Sequence, residues 1–160
     1  MQGKTVAYSE VLLMLPLMPN ETNAAGAIHG GHIVRHMDSA GALVGRRHSR
    51  TDVVTATMER VDFLTSIWPG EMLMVKALLH MVGTTSMEIG VRVEVENVFT
   101  GAIRHAVSGY FTFVALDSAG KPTPVPPLIL SNDIERERHA RALERKRLRA
   151  MMRALEEEKA

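Results

Sequence analysis

The segment from His29 to Asp38, HGGHIVRHMD, combines residue types that could act in acid-base or anion chemistry. Apolar residues recur within and after it at intervals of three or four, which predicts a helix whose buried face is formed by Ile33, Met37, Ala40 and Val44. On that helix Asp38 would have small or apolar neighbours, namely Val34, Gly41, Ala42 and Gly45. A carboxylate that loses water among such neighbours binds a proton more readily, which suits a general base at neutral pH. An aspartate that faces solvent, or that accepts hydrogen bonds from a neighbouring chain, is the alternative interpretation.

Two glycines, Gly30 and Gly31, stand where this helix should begin. The first amide N–H groups of a helix have no partner within the helix, and its dipole is positive at that end. Because glycine lets a ligand approach the backbone, these amides could bind an oxyanion or a phosphate. A plain turn before a helix is the other interpretation of the pair.

Three histidines, His29, His32 and His36, indicate a metal site as a rival hypothesis. His32 and His36 are four residues apart, close enough on one helix face to share a zinc ion. Asp38, however, lies about 160° around the helix from His32, and no glutamate stands between the two histidines as in the H-E-x-x-H pattern. We therefore predict a site without a metal or other cofactor, in which the histidines are exposed or cap the helix.

The elements that must position these residues are strands. An entering strand is expected within residues 11–19, followed by long segments rich in Val, Ile, Thr and Phe at residues 53–63, 71–82, 85–99 and 102–116. In the segment 85–99, apolar and polar residues alternate from Met87 to Glu96, so one face of the sheet should be core and the other largely wet. We interpret the four segments as a meander, and an early helix followed by such strands predicts an α+β fold, a curved antiparallel sheet wrapped around one helix.

Composition narrows the class of protein. The 160 residues, 46% hydrophobic and 23% charged with a formal net charge of +1, fit one ordinary globular domain. The absence of cysteine excludes disulfides, thiolate metal sites and a cysteine nucleophile, and it suits a reducing compartment, so we expect the cytoplasm. The apolar stretch VLLMLPLMP at residues 11–19 is too short to span a bilayer, and we expect no membrane association.

A proline-rich segment, PTPVPPL at residues 122–128, should end the sheet. A second helix is expected from about residue 132 to 159, capped by Asn132 or Asp133. We therefore predict a domain over residues 1–130 and a C-terminal helical extension over residues 131–160. The extension is locally basic, but its interleaved glutamates and lack of aromatic residues argue against nucleic-acid binding. Its apolar stripe is expected to pack on another subunit and consists of Leu148, Met151, Met152 and Leu155.

Five blocks of this sequence, taken in order, resemble the hot-dog-fold acyl-CoA thioesterases of the cytosolic acyl-CoA hydrolase type, which include bacterial broad-range enzymes and the tandem-domain brain hydrolase. The resemblance implies a five- or six-stranded antiparallel sheet around a long central helix. It also implies that two such sheets pair side by side, with active sites at the dimer interface and dimers assembled into a trimer, a hexamer. The blocks are NAAGAIHGG (23–31), MDSAGALVGRRHS (37–49), VVTATMERVDF (53–63), GTTSMEIGVRVEVEN (83–97) and FTFVALDSAGKPTPVPPL (111–128).

By motif position, the resemblance assigns hydrolysis of the thioester to Asp38 of one subunit and Asn23 of its partner. Asp38 would activate a water as general base or attack the carbonyl as nucleophile, and the sequence does not separate the two roles. Amides of Gly30 and Gly31 would stabilise the oxyanion. Considered alone, Asn23 is typical of a turn. A non-catalytic acyl-CoA-binding or regulatory module is the alternative function.

The resemblance also indicates where coenzyme A would bind. The segment GTTSM matches the part of the family that contacts this group, so Thr84, Thr85 and Ser86 are candidates, together with His29. Cations for the polyanionic end of coenzyme A could come from basic side chains, although charges near a helix end also complement its dipole. The cationic candidates are Arg46, Arg47 and Lys121.

The sequence departs from the family pattern near the predicted site. Ala27 stands where many relatives have Asn or Asp, and Arg35 and His36 lie in a segment that is more apolar in most of them. These departures concern acyl chain-length preference and the surroundings of Asp38, whereas both motif residues for catalysis are present.

Overall fold

The computed structural model describes residues 1–159. A long helix, α2 (Gly30–Ser49), packs against one face of a five-stranded antiparallel sheet in the order β2-β4-β5-β6-β3. The strands are β2 (Val11–Pro16), β3 (Asp52–Phe63), β4 (Met72–Val82), β5 (Ser86–Glu96) and β6 (Ile103–Leu116). The predicted α+β class, an antiparallel sheet with one central helix, is confirmed.

The chain termini form smaller elements. A two-residue strand, β1 (Lys4–Thr5), leads into the short helix α1 (Val6–Ser9). After β6 the proline-rich segment ends the main sheet, as predicted, and β7 (Leu128–Ile129) pairs in parallel with β1. A 3-10 turn, Pro19–Glu21, follows β2 and begins the loop that precedes α2.

The prediction of a four-stranded meander is wrong at its first strand. β4, β5 and β6 follow one another as neighbours, but β3 pairs with β6 instead of β4. Both edges of β4 are occupied, one by β2 and the other by β5, so β3 does not pair with β4 and lies instead along the outer edge of β6. As a result β3, the strand that follows α2 directly, lies at one edge of the sheet with its outer side unpaired within the described chain.

The core lies between α2 and the inner face of the sheet. The predicted apolar face of α2 is confirmed, since Ile33, Met37, Ala40 and Val44 are all at most 1% exposed. Glycine lets the helix approach the sheet closely: a Cβ atom on Gly41 would lie 2.7 Å from Cε2 of Phe113. The aromatic ring of Phe113, on β6, therefore occupies the space that a side chain at position 41 would need.

Part of the outer face of the sheet, which was predicted to be largely wet, is covered by protein. A helix of 25 residues, α3 (Asp133–Glu157), lies over part of it and covers Glu88, which is 0% exposed. Arg145 of α3 donates to Glu88 Oε1 at 2.6 Å, and Arg149 donates to Glu88 Oε2 at 3.2 Å and to Glu59 Oε2 at 2.7 Å. The guanidinium of Arg145 also lies 3.8 Å from the centre of the Tyr110 ring. A carboxylate on the outer face is thus buried by ion pairing with α3.

The C-terminal helix forms where the sequence predicts it. Asn132 is its N-cap, and its side chain accepts from the Glu135 amide at 2.9 Å. The division into a domain and an extension stays a prediction, and Ala160 lies outside the described residues. The residues of the predicted apolar stripe are each between 44% and 62% exposed in the single chain. They are Leu148, Met151, Met152 and Leu155. Neither α3 nor any other helix within residues 1–159 has the length and apolar character that crossing a membrane requires.

Candidate active site

Asp38 lies in the middle of α2, on the side of the helix that faces β3. Thr55 of β3 donates its hydroxyl to Asp38 Oδ1 at 2.7 Å. A register shift in the pairing with β6 falls between Thr55 and Thr57, so β3 is irregular at the point of contact. Oδ2 of Asp38 has no donor among residues 1–159, which leaves one carboxylate oxygen for a water or a substrate.

The environment of Asp38 differs from the sequence prediction. Gly41 and Gly45 lie against the sheet, where the Cβ of an alanine would meet Phe113 and Val53, whereas Asp38 stands at the border of this buried face and is partly exposed. The small residues therefore allow the helix to approach the sheet, and they do not enclose the carboxylate. Exclusion of water from Asp38 would require a second surface that covers it.

The start of α2 places one of the two predicted glycine amides in an open position. His29 is the N-cap residue, and its Nδ1 accepts from the Gly31 amide at 3.0 Å. The amide of Gly30 has no acceptor within residues 1–159, and the ring of Phe63 lies 3.4 Å from the position of a Cβ on this glycine. As the structure stands, Gly30 is the amide available to an oxyanion.

Asn23 lies in the exposed loop between β2 and α2. Its Oδ1 accepts from the Ala25 amide at 2.9 Å, and its backbone pairs with Ala27 and Gly26, so the residue has the turn role that its type predicts. The side-chain Nδ2 group has no acceptor within the described chain and points to no partner on α2. No hydrogen bond joins Asn23 to Asp38 within residues 1–159.

The histidines of the rival metal hypothesis do not come together as a set. His32 and His36 meet with their Nε2 atoms 3.2 Å apart, and Glu21 Oε1 lies 3.1 Å from His32 Nε2. His29 instead binds the amide of Gly31. Within the described residues no group of three or more His, Asp or Glu side chains is placed to hold a metal ion. That the reaction needs no metal or cofactor stays a prediction.

The candidate coenzyme A residues of the β4–β5 turn are held through their main chain. The carbonyl of Thr84 accepts from Val125, that of Thr85 from Ala115 and that of Ser86 from Gly83. Their hydroxyl groups donate to no acceptor within residues 1–159. Lys121 lies in a separate turn, where its amide donates to Asp117 Oδ1 at 2.9 Å, and its side chain is exposed.

The two candidate arginines already have partners in the chain. Arg47 donates to the carbonyls of Glu10 and Tyr8, both at 3.1 Å, and so satisfies acceptors at the end of α1. Arg46 lies 3.6 Å from Asp52, and both side chains are more than half exposed. Arg47 has a structural contact in this chain, whereas Arg46 could exchange its weak surface ion pair for a phosphate.

Sequence reasoning missed Thr55. The signal was present, since two threonines, Thr55 and Thr57, stand in the otherwise apolar strand segment VVTATM, which follows closely on the helix that carries Asp38. The separation of 17 residues and the irregular β3 pairing, however, are tertiary features that a strand pattern does not report.

The sequence relatives identify the class of protein. A family model described as the thioesterase superfamily matches residues 25–100. An acyl-CoA thioester hydrolase of Bacillus subtilis is 36% identical over 137 residues, which are 86% of this chain and 80% of that protein. The chain belongs to the thioesterase superfamily. The cytosolic acyl coenzyme A thioester hydrolase of Rattus norvegicus is 32% identical over 139 residues, and the chain spans only 36% of the length of that longer protein. The predicted enzyme class, a thioester hydrolase, is confirmed.

Solved structures support the same assignment for this thioesterase. An apo hexameric acyl-CoA thioesterase is 34% identical and superposes with a TM-score of 0.93 over 97% of this chain and 99% of that chain. An acyl-CoA hydrolase of Staphylococcus aureus, solved with butyryl coenzyme A, coenzyme A and coenzyme A disulfide, is 32% identical with a TM-score of 0.88 over 97% and 94% of the two chains. Variants of the S. aureus protein carry alanine in place of one Asp, one Asn or one Thr. The predicted hot-dog fold is confirmed.

Proposed function

We propose that this thioesterase hydrolyses acyl-CoA to a free fatty acid and coenzyme A, in a crevice between two copies of the chain. The observation that carries the proposal is the Thr55–Asp38 contact, which orients a partly exposed carboxylate and leaves its Oδ2 open. The S. aureus relative, which was solved with butyryl coenzyme A and coenzyme A, supports the substrate class.

Spacing supports the choice of residues. In this chain Asn23 precedes Asp38 by 15 residues, and Asp38 precedes Thr55 by 17. The Asn, Asp and Thr replaced in the S. aureus variants are separated by the same 15 and 17 positions in that protein. We assign the three residues of this chain to one catalytic unit, with Thr55 as the residue that positions Asp38.

Helix geometry argues for a site made by two chains. Asp38 and Gly30 are eight residues apart on α2, so their backbones are about 12 Å apart along the helix axis. The attacking oxygen and the oxyanion belong to one tetrahedral centre, and each must lie about 3 Å from its own partner group. This separation favours a Gly30 amide supplied by a second chain. Asn23 and the Gly30 amide of one protomer would face Asp38 of the other.

In the reaction, Asp38 Oδ2 takes a proton from water while the water oxygen bonds to the thioester carbon. The carbonyl oxygen becomes an oxyanion that the Gly30 amide stabilises, and Asn23 donates through Nδ2 to orient water or substrate. The C–S bond then breaks, and the thiolate of coenzyme A receives the proton from Asp38. In the alternative course Asp38 itself attacks the thioester carbon, the C–S bond breaks with release of the thiolate of coenzyme A, and water cleaves the resulting anhydride to free the acid and restore Asp38. The remaining predicted site residues stay part of the proposal. They are His29, Gly31, Thr84, Thr85, Ser86, Arg46, Arg47 and Lys121.

The exposed edge of the sheet supports a homodimer. β3 is a 12-residue edge strand, and apolar side chains on and beside it are exposed, with Val54 at 46%, Met58 at 45% and Phe63 at 50%. A long unpaired strand of this kind is a liability unless another chain covers it. Pairing of β3 with a second copy would join the two sheets and cover Asp38. The hexameric relative supports assembly of such dimers into a trimer, and the name of the rat relative supports a cytoplasmic location.

The test is release of free thiol from a series of acyl-CoAs of increasing chain length. Asp38→Asn and Asn23→Ala should each lower kcat by about 10²- to 10⁴-fold without loss of folding. Thr55→Val should lower kcat, while Thr55→Ser, which keeps the hydroxyl, should retain most of it. Wild-type kcat in both Asp38→Asn and Asn23→Ala would refute the assignment.

A mixing experiment tests whether the site is shared. Chains with Asp38→Asn and chains with Asn23→Ala should regain activity when they form mixed dimers, because one of the two sites then has both wild-type residues. No recovery in demonstrated mixed dimers would place the site within a single chain. Chelator treatment of the wild type should leave activity unchanged, since the mechanism uses no metal.

A further inference from the structure

Glu21 is a junction between the Asn23 loop and α2. Its Oε2 accepts from the Met18 amide at 2.8 Å, and its main-chain carbonyl accepts from the His29 amide at 2.9 Å. Its Oε1 lies 3.1 Å from His32 Nε2. One residue thus connects the beginning of the loop, its end and the first turn of the helix.

His32 is itself fixed from the side of α2. The rings of His32 and His36 pack edge to face, with centroids 4.7 Å apart and planes at 87°, and their Nε2 atoms are 3.2 Å apart. His32 and Glu21 are both largely covered, with side-chain exposures of 21% and 23%. A contact between two side chains that are both already restrained loses little conformational entropy when it forms.

The loop that this junction holds has few other attachments. Residues 23–26 are all exposed, and within the loop the side chain of Asn23 bonds only to the Ala25 amide. Thr22 and Ile28 form a single antiparallel bridge at its base. Only Thr22 separates Asn23 from Glu21, so movement of Glu21 displaces Asn23.

We propose that Glu21 and His32 are positioning residues, which hold Asn23 and the Gly30 amide in the geometry that the active site of the partner protomer requires. The inference rests on the proposed function, because it concerns the catalytic role of Asn23. Neither residue contacts the reacting atoms. Displacement of a catalytic group by about 1 Å can cost about 10²-fold in rate, so a modest shift of this loop has a measurable effect.

The first test compares two replacements of Glu21. Glu21→Ala removes the hydrogen bond from the Met18 amide and the close contact with His32 Nε2, and it should lower kcat about 10- to 100-fold, with a smaller change in KM for acyl-CoA. Glu21→Gln should retain most of the activity, because the amide oxygen still accepts from the Met18 amide and the side chain keeps its length and its place beside His32. A matched control is Asn97→Ala, which removes acceptors for the Phe99 and Thr100 amides in the exposed β5–β6 turn and should leave kcat unchanged.

The second test uses mixed dimers, since a positioning role in the Asn23 loop predicts which partner restores activity. Glu21→Ala chains mixed with Asp38→Asn chains should recover activity, because one site then combines an intact loop with an intact Asp38. Glu21→Ala mixed with Asn23→Ala should not recover, since both chains carry a defective loop. General destabilisation by Glu21→Ala would not distinguish between the two partners.

The outcomes separate this inference from the proposed function. Recovery by the reference pair, Asp38→Asn with Asn23→Ala, supports the shared site, and Glu21→Ala must then behave like Asn23→Ala or the inference is overturned. If the reference pair does not recover, the shared site is rejected, and the positioning role is judged by kcat alone. In that case wild-type kcat in Glu21→Ala, or equal losses in Glu21→Ala and Glu21→Gln, overturns it.

Discussion

The two long helices of this thioesterase lie on opposite faces of one sheet and are held by different forces. α2 buries an apolar face in which Met37, Ala40 and Val44 are 0% exposed. α3 has a single buried residue, Ala142, and is attached by arginines that neutralise carboxylates of the sheet. The inner helix is thus held by burial of apolar surface and by close packing, and the outer helix is held by a few charged hydrogen bonds.

This difference determines how each helix responds to change. Apolar packing is nearly independent of pH and salt, but it is sensitive to side-chain volume. A buried ion pair is less sensitive to the volume of its side chains. Loss of one partner, however, strongly lowers the stability of the fold, because the remaining charge is neither paired nor solvated. Asp38, the proposed catalytic residue, is on the helix with the firmer support, as a site that must hold its geometry requires.

The largest effect is expected from Phe113, on the inner side. Phe113→Ala removes a fully buried ring and should lower the free energy of unfolding by about 3–5 kcal/mol. Denaturant unfolding at a fixed protomer concentration measures this, because oligomer stability depends on concentration.

Gly41 sharpens the test of close packing. Gly41→Ala alone should destabilise by about 1–3 kcal/mol, since its Cβ would lie 2.7 Å from Phe113 Cε2. In the Phe113→Ala background the same change should cost nothing or stabilise. Additive effects of the two substitutions would contradict direct packing of this helix on the ring.

A smaller effect is expected on the outer face. Arg145→Leu leaves Glu88 with Arg149 alone, whose guanidinium lies 3.2 Å from Oε2, so the loss should be about 2–3 kcal/mol, below that of a fully unpaired charge. Adding Glu88→Leu should recover part of the loss, because the buried carboxylate is then absent. A double variant less stable than Arg145→Leu would show that Glu88 supports the fold by other contacts.

Sequence patterns predicted the inner side of the molecule well for a physical reason. Burial against one surface imposes a period of 3.6 on α2 and of 2 on the strands, and both periods are visible in the residues themselves. The bounds of β4, for example, came within one residue, at Met72–Val82 against 71–82. Alternation does not report which strands are neighbours, and so the edge position of β3 was not foreseen.

The outer face and the site were less predictable because they depend on side-chain contacts between distant residues. Glu88 stands at a position that the alternation of β5 predicts to be exposed. It is buried because Arg145, 57 residues later in the chain, packs over it and donates to its carboxylate. The Gly30–Gly31 pair indicates the start of a helix. Whether His29 accepts from the Gly31 amide depends on the rotamer of the His29 side chain, which a sequence pattern does not specify. Asp38 is a candidate from its position on the helix, whereas Asn23 was found only through family resemblance, which carries information that composition and period do not.

On the outer face, His80 should make stability depend on pH. Burial, with the nearby Arg145 and Arg138, lowers the pKa of His80 to about 4. Glu88 lies 3.9 Å from His80, but its charge is already neutralised by two arginines, so His80 remains neutral. The unfolded chain, with a His pKa of about 6.5, binds more protons in this range, so stability falls as pH drops from about 6.5 to 4.

The contribution of His80 can be isolated by difference. Between pH 7 and pH 5 it should amount to about 2 kcal/mol, and His80→Gln should reduce the pH dependence by that amount. His36 and His48, whose pKa values are also lowered by burial, contribute in the same direction in wild type and variant alike. An unchanged slope in His80→Gln would mean that His80 is not buried in the neutral form.

The smallest effect is expected four residues before Arg145, on the same helix. Arg141 pairs with Glu137, but their side chains are 71% and 62% exposed, so water already solvates both charges. Arg141→Leu should therefore cost no more than about 0.5 kcal/mol, and even this should diminish in high salt. Because Arg141→Leu and Arg145→Leu make the same chemical change in one helix, the difference between their unfolding free energies measures what burial against Glu88 adds. Equal losses would mean that helix propensity or the exposed apolar stripe, rather than the buried carboxylate, sets the stability of α3.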